Sequence, residues 1–195
     1  EMSASLVGSE MCIRDRPYCP AQSYTACSAE HEKVEQGACF FIPAGTVHAI
    51  CKGCYIAEIQ QTSDITYRIY DYDRRDKNGN PRELHTELAT DVINFCEQKQ
   101  HNIHYHQHEN HTEELVSCNY FTTNYLKFDK EVEKDYIELD SFVIYMCLEG
   151  NFTLVYDVDK TVKVNKGETI LVPAILKNLF LIPETEAEIL EIYIR

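Results

Sequence analysis

From Gly37 onward the chain is a succession of short runs in which apolar and polar positions alternate. β-Branched and aromatic residues dominate these runs and turn residues separate them, which is the pattern of half-buried β-strands. Many short antiparallel strands favour a closed or double-sheet barrel. The predicted strands are ACFFIP, YIAEIQQ, ITYRIYDYD, LVSCNYFTTNYLKF, FVIYMCLEG, FTLVYDV, KTVKVNK, TILVPA, LFLIP and AEILEIYI.

One segment has helical spacing instead. After the turn sequence DKNGNP, the apolar residues Leu84, Leu88, Val92 and Cys96 follow one another at intervals of four. This interval places them on one face of an α-helix. The pattern therefore predicts a single helix over about 84–96.

A weak internal repeat divides the strand-rich region. GACFFIPA at 37–44 matches GETILVPA at 167–174, so that a glycine, a proline and an alanine coincide. Without a gap, the same register sets Ala57-Glu58 against Ala187-Glu188 and places Asn178 where His48 stands. Two copies of one barrel unit explain this match, although chance similarity between two strand–turn–strand units is the alternative. The second copy lacks the histidine and is expected not to bind a metal.

The beginning of the chain has a different character. Residues 1–16 show neither strand alternation nor a helical stripe. They resemble the translation of sequencing-adapter DNA, so we expect this segment to be artefactual or disordered. Residues 17–36 are turn-rich and weakly patterned. We therefore expect the chain to be a fragment whose first barrel is incomplete.

Composition and charge limit the kinds of molecule that the protein is expected to bind. The 195 residues carry a formal net charge of −14, which disfavours binding to nucleic acid and to anionic lipid. An anionic small molecule would need a local basic pocket. No apolar run reaches the length of about 18 residues that suggests a membrane span. Nine scattered cysteines favour reduced thiols and a cytoplasmic location, and no obligate protein partner is evident.

A turn motif in the first repeat supplies a candidate metal ligand. Gly37, Pro43, Gly45 and His48 follow the pattern Gly-x5-Pro-x-Gly-x2-His. Glycine and proline shape the turn, and the histidine opens the next strand. The motif resembles the second conserved motif of the cupin superfamily, in which this histidine ligates a metal. The alternative is a structural histidine after a tight turn.

A longer resemblance lies just downstream. It covers roughly residues 36–96 and is similar to the signature region of type I mannose-6-phosphate isomerases of the short bacterial form. Its matching residues are Glu58, Gln61, Ser63-Asp64, Thr66-Tyr67-Arg68, Tyr70-Asp71-Tyr72, Arg74 and Pro81-Arg-Glu-Leu-His85.

The resemblance implies a mainly β fold of two cupin-like units, of the jelly-roll or double-stranded β-helix type. The first unit is incomplete, and one helix separates it from the second. We expect residues 17–98 to be the remainder of the catalytic domain, 99–111 to be a linker and 112–195 to be a non-catalytic cupin-like domain.

The resemblance also implies a role for particular residues. His48 would be a zinc ligand, Arg68 the active-site arginine, and Glu58 a cavity residue that takes part in proton transfer or holds sugar hydroxyls. Arg74 and Thr46 are further candidates for binding the sugar phosphate. Arg75 joins this local concentration of positive charge. For Arg74 and Arg75 a solvated turn is the alternative.

The chemistry of aldose–ketose isomerisation fits such a set. A proton moves between C1 and C2 through an enediol, and negative charge develops on two adjacent oxygens. Zinc and a fixed guanidinium both stabilise that charge.

The ligand set, however, is incomplete. In the family, the other zinc ligands come from an upstream Q-x-H pair and a glutamate. Residues 1–36 contain one histidine, His31, and no H-x-H or Q-x-H. A catalytic zinc needs about three protein ligands. We therefore expect an isomerase fragment with weak or absent zinc. The alternatives are a metal-free cupin that binds a sugar phosphate or has a structural role and, third, another cupin enzyme such as an iron dioxygenase.

Five histidines form a second cluster, at positions 101, 104, 106, 108 and 111. Alternation over His104, His106 and His108 would put three imidazoles on one strand face and create an adventitious zinc or nickel site. A solvated linker between the domains is the simpler interpretation.

Overall fold

A computed structural model describes residues 2–8, 11–14, 30–32, 34–50, 53–62, 65–71, 74–95 and 101–195, the first three ranges as backbone only. The chain divides into two compact units, Glu1–Ile103 and His104–Arg195. The division falls within the segment 99–111. Among the described residues, no helix is long and apolar enough to cross a membrane.

In its described residues the first unit contains two sheets and one helix. Four strands pair in the order β6-β1-β4-β7, and three in the order β3-β2-β5. The elements are β1 Met2–Gly8, β2 Met11–Arg14, β3 Glu30–Glu32, β4 Ala38–Ile42, β5 Val47–Ile50, β6 Cys54–Gln60, α1 Thr86–Val92 and β7 Asn102–Ile103.

Strands β1 and β2 differ from the sequence pattern, which predicts no strand over residues 1–16. β1 lies between β4 and β6 and pairs with both. β2 pairs with β3 and β5. The hydrogen bonds of a sheet come from the backbone, so a segment without strand alternation can fill such a position.

The described part of the first unit has a small core. Val34, Phe40 and Ile42 are buried together. Ala38, Cys54 and Ile56 pack against them and are partly buried.

The helix α1 is shorter than the predicted 84–96 and presents another face to the protein. Cys96 lies outside the described residues. Ala89 is 2% exposed, whereas Leu84, Leu88 and Val92 are 47%, 54% and 48% exposed. The C-terminal end of α1 meets the turn at Gly45, where the Asn94 N–H donates to the Gly45 carbonyl at 2.9 Å. This backbone contact helps to fix the orientation of the helix.

The segment ITYRIYDYD is not a strand over its described residues, 65–71, so this prediction is wrong. Ile65, Tyr67 and Tyr70 are all exposed. The backbone of Arg68 pairs with a single residue near α1 rather than with a neighbouring strand. Alternating composition without a partner strand does not make a sheet.

The second unit is built on one sheet of seven strands, in the order β12-β11-β14-β9-β8, with β13 on β11 and β10 on β14. The two long strands change partners along their length, so the sheet folds around one core. Its strands are β8 His111–Ser117, β9 Thr122–Phe128, β10 Val132–Asp135, β11 Val143–Asp157, β12 Lys160–Asn165, β13 Thr169–Val172 and β14 Asn178–Tyr193. The largest fully buried side chains include Phe128, Tyr145, Phe152, Leu179 and Ile189.

The two copies of the repeat share a local geometry. Gly37 and Gly167 have φ of 82° and 81°. The prolines at 43 and 173 directly follow β4 and β13 and open matching turns, and their carbonyls accept from the N–H three residues on, at 3.2 and 3.0 Å. β5 then begins at Val47 and β14 at Asn178.

Beyond the proline turn, the two repeats no longer align without a gap. In the first unit Phe40 pairs with Ala4, which pairs with Glu58. In the second, Ile170 pairs with Tyr145, which pairs with Glu191. Glu58 therefore corresponds to Glu191 and not to Glu188, because the path from the turn to this strand position is three residues longer in the second copy.

Candidate functional site

The turn before His48 is formed by backbone contacts that need glycine at position 45. Gly45 has φ of +85°, and a Cβ there would lie 2.7 Å from the Val92 carbonyl oxygen. The Thr46 N–H closes the turn on the Pro43 carbonyl at 3.2 Å. The sequence thus positions His48 at the start of β5, directly after a tightly packed turn.

The imidazole of His48 is held by its own turn. Its Nδ1 lies 3.0 Å from the carbonyl oxygen of Thr46. Because a carbonyl can only accept, Nδ1 carries a proton, and in the neutral imidazole Nε2 then presents its lone pair. Metal-bound histidines commonly have this arrangement, in which one ring nitrogen donates to a backbone carbonyl.

The hydroxyl of Thr46 is buried, and it has no hydrogen-bond partner among the described residues. Buried polar atoms are normally paired with protein or water. This oxygen therefore has hydrogen-bonding capacity that a bound hydroxyl or water could use.

His48 is one candidate metal ligand without the others. Within the described ranges, no group of three or more His, Cys, Asp or Glu side chains could hold a metal ion. A catalytic zinc needs about three such ligands and an open position. The described residues by themselves do not fit a zinc site.

Arg68 lies in a different set of contacts. Its Nη1 donates to the Glu83 carbonyl at 3.2 Å, and its Nε is 3.9 Å from an Asp71 carboxylate oxygen. The side chain is 25% exposed, so the guanidinium is within reach of a molecule in solution.

The carboxylate of Asp71 interacts with several arginines in the neighbourhood of Arg68. Arg82 forms a two-pronged pair with it, with Nε on one carboxylate oxygen at 2.7 Å and Nη2 on the other. The Arg82 hydrogen bond holds the pKa of Asp71 below its ordinary value, and the charges of Arg68 and Arg74 act in the same direction. The guanidinium groups of Arg82 and Arg68 thus lie at this carboxylate, and the charge of Arg74 also acts on it. Sequence reasoning did not assign this role to Asp71 and Arg82, although both lie in the quoted motifs.

The two other predicted arginines, Arg74 and Arg75, lie in different surroundings. The Arg74 N–H donates to the Asp71 carbonyl at 3.0 Å, which keeps this residue beside the cluster. Arg75 donates from Nη1 to the Gly79 carbonyl at 2.8 Å, inside the turn that Asp76 closes. Arg75 is therefore part of a solvated turn, as the alternative interpretation had it.

Glu58 lies on β6 and is exposed. Its register partner in β1 is also the partner of Phe40, so Glu58 shares a sheet face with the small core. Among the described residues, no hydrogen bond or ion pair joins His48, Glu58 and Arg68 to one another. That these three groups line one cavity stays a prediction. Ser63, Asp64 and Tyr72 of the motif lie outside the described residues.

The histidine cluster does not converge. His101 is 7% exposed, and its Nδ1 donates to the Phe41 carbonyl at 3.2 Å, so the idea of a solvated segment is wrong for this residue. His106 and His108 have ring centroids 5.6 Å apart, and His108 contacts Glu113 at 2.7 Å. No three-ligand metal group forms in the described part of this segment.

Fold and turn geometry together define a mainly β protein of the cupin type. No sequence profile of a known protein family matches the chain. The chain is nevertheless 36% identical over 143 residues to the mannose-6-phosphate isomerase ManA of Bacillus subtilis, which is 72% of this chain and 44% of that protein. A mannose-6-phosphate isomerase of Streptococcus mutans is 53% identical over 60 residues, 31% of this chain and 19% of that protein.

Solved structures agree with these relatives. The crystal structure of the mannose 6-phosphate isomerase from Bacillus subtilis matches with a TM-score of 0.77 at 27% identity, over 99% of this chain and 65% of that chain. A mutant phosphomannose isomerase from Salmonella typhimurium has a TM-score of 0.72 at 10% identity, over 98% and 68% of the two chains, which supports the fold alone.

The chain is thus a homologue of the mannose-6-phosphate isomerases, as the 36–96 segment implied. It spans a little under half the length of a curated relative that it matches.

Proposed function

We propose that this chain carries the sugar-phosphate-binding part of an enzyme that interconverts mannose 6-phosphate and fructose 6-phosphate. The observation that carries the proposal is the arginine cluster at Asp71. In a chain of net charge −14, it brings two guanidinium groups into contact with one carboxylate, within reach of the charge of a third, that of Arg74. A phosphorylated sugar is an anion that needs such a local field. We place the protein in the cytoplasm and expect a small-molecule partner rather than nucleic acid, membrane or protein.

Each predicted residue has a chemical task in this proposal. The Arg68 guanidinium, partly exposed, would hold an oxygen on which negative charge develops. Glu58, exposed on β6, is the candidate group for proton transfer between C1 and C2. The Thr46 hydroxyl, which lacks a partner among the described residues, would bond a sugar oxygen. Arg74 would add to the field that attracts the substrate.

In this proposal His48 is the candidate zinc ligand among the described residues. Bound zinc would act as a Lewis acid on the substrate oxygens. The contact of Nδ1 with the Thr46 carbonyl leaves Nε2 of the neutral imidazole available as a ligand. The described residues do not supply the other ligands. This observation favours a second candidate function, a metal-free cupin that binds the sugar phosphate without isomerising it.

Isothermal titration of the chain with mannose 6-phosphate, with and without EDTA, tests the shared part of both functions. We expect binding in both conditions and its loss in Arg68→Ala, because the guanidinium supplies a charge-assisted contact. Arg75→Ala is the matched control and should bind normally, because Arg75 serves its own turn. Absence of heat at millimolar sugar would remove both candidates.

A coupled assay for fructose 6-phosphate then tests isomerisation directly. Turnover by this chain would support the isomerase and remove the metal-free module. Binding without turnover is expected of both candidates, because the described residues lack a zinc site.

A further inference from the structure

We propose that His85 is a positioning residue that holds Arg68 in place for the sugar phosphate, by tying the Arg68 backbone to the start of α1. The effect on binding rests on the proposed function. The structural part of the inference does not.

The two residues are joined by a reciprocal pair of hydrogen bonds. The Arg68 N–H donates to His85 Nδ1 at 3.0 Å, and the His85 N–H donates to the Arg68 carbonyl at 2.7 Å. Both polar groups of the Arg68 backbone therefore end on one residue. The edge of the His85 ring also approaches Tyr67, with centroids 6.2 Å apart.

His85 is at the same time the first residue of the helical hydrogen-bond pattern. Its carbonyl accepts from the Ala89 N–H at 2.9 Å. An N-cap side chain usually accepts from the first turn of its own helix. The His85 side chain makes no such cap, and its Nδ1 is used for Arg68 instead. The His85 side chain therefore bonds to Arg68 and does not cap the helix.

The other end of α1 reaches the turn that carries Thr46 and His48. The Asn94 N–H donates to the Gly45 carbonyl at 2.9 Å, and Gly45 lies against the Val92 carbonyl. The helix has seven residues, so its rise is roughly 10 Å. α1 therefore connects the Arg68 segment to the His48 turn through hydrogen bonds at its two ends. His85 makes the hydrogen bonds at the Arg68 end.

The interaction requires an acceptor at the Nδ1 position and little else from the ring. Asparagine can present its side-chain oxygen at a similar position, because its amide branches at the same carbon as the imidazole. Alanine has no acceptor there. His85→Asn and His85→Ala therefore separate the hydrogen bond from the volume of the ring.

Titration calorimetry with mannose 6-phosphate tests the functional part. We expect His85→Ala to weaken binding by about five- to tenfold, the range of one hydrogen bond, and His85→Asn to bind almost as wild type does. If His85 acts through the arginine, His85→Ala should add nothing in an Arg68→Ala background. Leu84→Ala, a change at an exposed neighbour, is the control and should bind normally.

Amide hydrogen exchange of Arg68, followed by NMR without sugar, tests the structural part. The amide should be protected in wild type and His85→Asn and should exchange rapidly in His85→Ala. An unprotected Arg68 amide in wild type would overturn the inference, even if His85→Ala failed to fold. Equal affinities of wild type and His85→Ala would also overturn it. If wild type binds no sugar, the proposed function fails, and the exchange experiment still decides the role of His85.

Discussion

At the scale of single residues, the arginine cluster is organised by one acid. Asp71 is paired by Arg82 on both carboxylate oxygens, and Arg68 lies at 3.9 Å. A two-pronged Arg–Asp pair fixes the orientation of the guanidinium as well as its distance from the carboxylate. A simple excess of basic residues fixes neither.

Asp71 gives a pH dependence with a definite sign. Arg82 lowers the pKa of Asp71 below 3.8, the ordinary value. The pair therefore contributes stability above the ordinary pKa, and this contribution is lost as the pH falls through the lower pKa of the folded protein. We expect Asp71→Asn to melt below wild type near neutral pH, and the two to converge in strong acid.

Thermal melting over a pH series measures this difference. Asp91→Asn, a change at an exposed aspartate on α1, is the control and should show no such convergence. A difference between wild type and Asp71→Asn that stays constant into strong acid would contradict the assignment.

At the scale of elements, contacts between backbone segments decide positions that side-chain patterns do not. The apolar stripe of α1 predicts a buried face at Leu84, Leu88 and Val92, yet these residues are about half exposed. The helix is placed by its ends instead, through His85 at one and Asn94 at the other. Periodicity indicates that a helix forms but not which contacts orient a short one.

The close approach at Gly45 is testable against a matched glycine. Gly45 and Gly79 have φ of +85° and +84°, but a Cβ at Gly79 would meet nothing within 4 Å, whereas at Gly45 it would lie 2.7 Å from the Val92 carbonyl oxygen. Both alanine variants bear the cost of the backbone conformation. Gly45→Ala should lose about 1–3 kcal/mol more, from the steric conflict.

Urea unfolding of the two variants measures the excess. Equal losses would show that the end of α1 does not press on the Gly45 turn.

A buried ion pair joins the strands of the second unit. Lys134 on β10 and Glu191 on β14 lie 3.0 Å apart and are 8% and 3% exposed. Glu191 also accepts from Asn124 at 2.8 Å and from Tyr136, whose hydroxyl contacts Tyr145. Burial raises the pKa of both tyrosines, so they remain protonated.

Breaking this pair should cost more than removing it. Lys134→Met leaves a buried carboxylate without its cation and should destabilise the protein by about 3–5 kcal/mol. The double variant Lys134→Met/Glu191→Leu should recover part of that loss, because no unpaired charge remains. Chemical denaturation of both variants measures the effect. A double variant less stable than Lys134→Met would contradict it.

At the scale of the whole molecule, the sequence predicted the β-rich class, the homology and most strand positions after Gly37. It divided the longest strands, since FVIYMCLEG and FTLVYDV form the single strand β11. Gly150, with φ of 70°, lies at a shift in register between β11 and β14, so it bends the strand without ending it. A glycine in a strand pattern does not by itself distinguish a turn from a bulge.

The site was predicted only in part, for a related reason. Motif resemblance marked His48 and Arg68, but several of the groups that hold them are backbone atoms, namely the carbonyls of Thr46 and Glu83 and the N–H of His85. These backbone contacts depend on the path of the chain and not on residue type, whereas the His85 Nδ1 contact depends on both. Asp71 with Arg82 is the exception, since opposite charges eleven residues apart around a turn could have been paired from the sequence.

The whole chain should hold little zinc. With His48 as one ligand and no three-ligand group among the described residues, we expect clearly less than one zinc per chain after gel filtration. Elemental analysis by mass spectrometry measures this, and His48→Ala should leave the value unchanged. Stoichiometric zinc that disappears in His48→Ala would contradict the expectation.

Glu58 and Glu191 occupy equivalent strand positions in opposite surroundings. In the second copy the protein provides its own ammonium group, from Lys134, so ions in the surroundings have little opportunity to compete for that acid. In the first copy the equivalent acid faces water. The same place in the strand pattern thus holds an internal ion pair in one unit and a carboxylate accessible to dissolved cations and small molecules in the other.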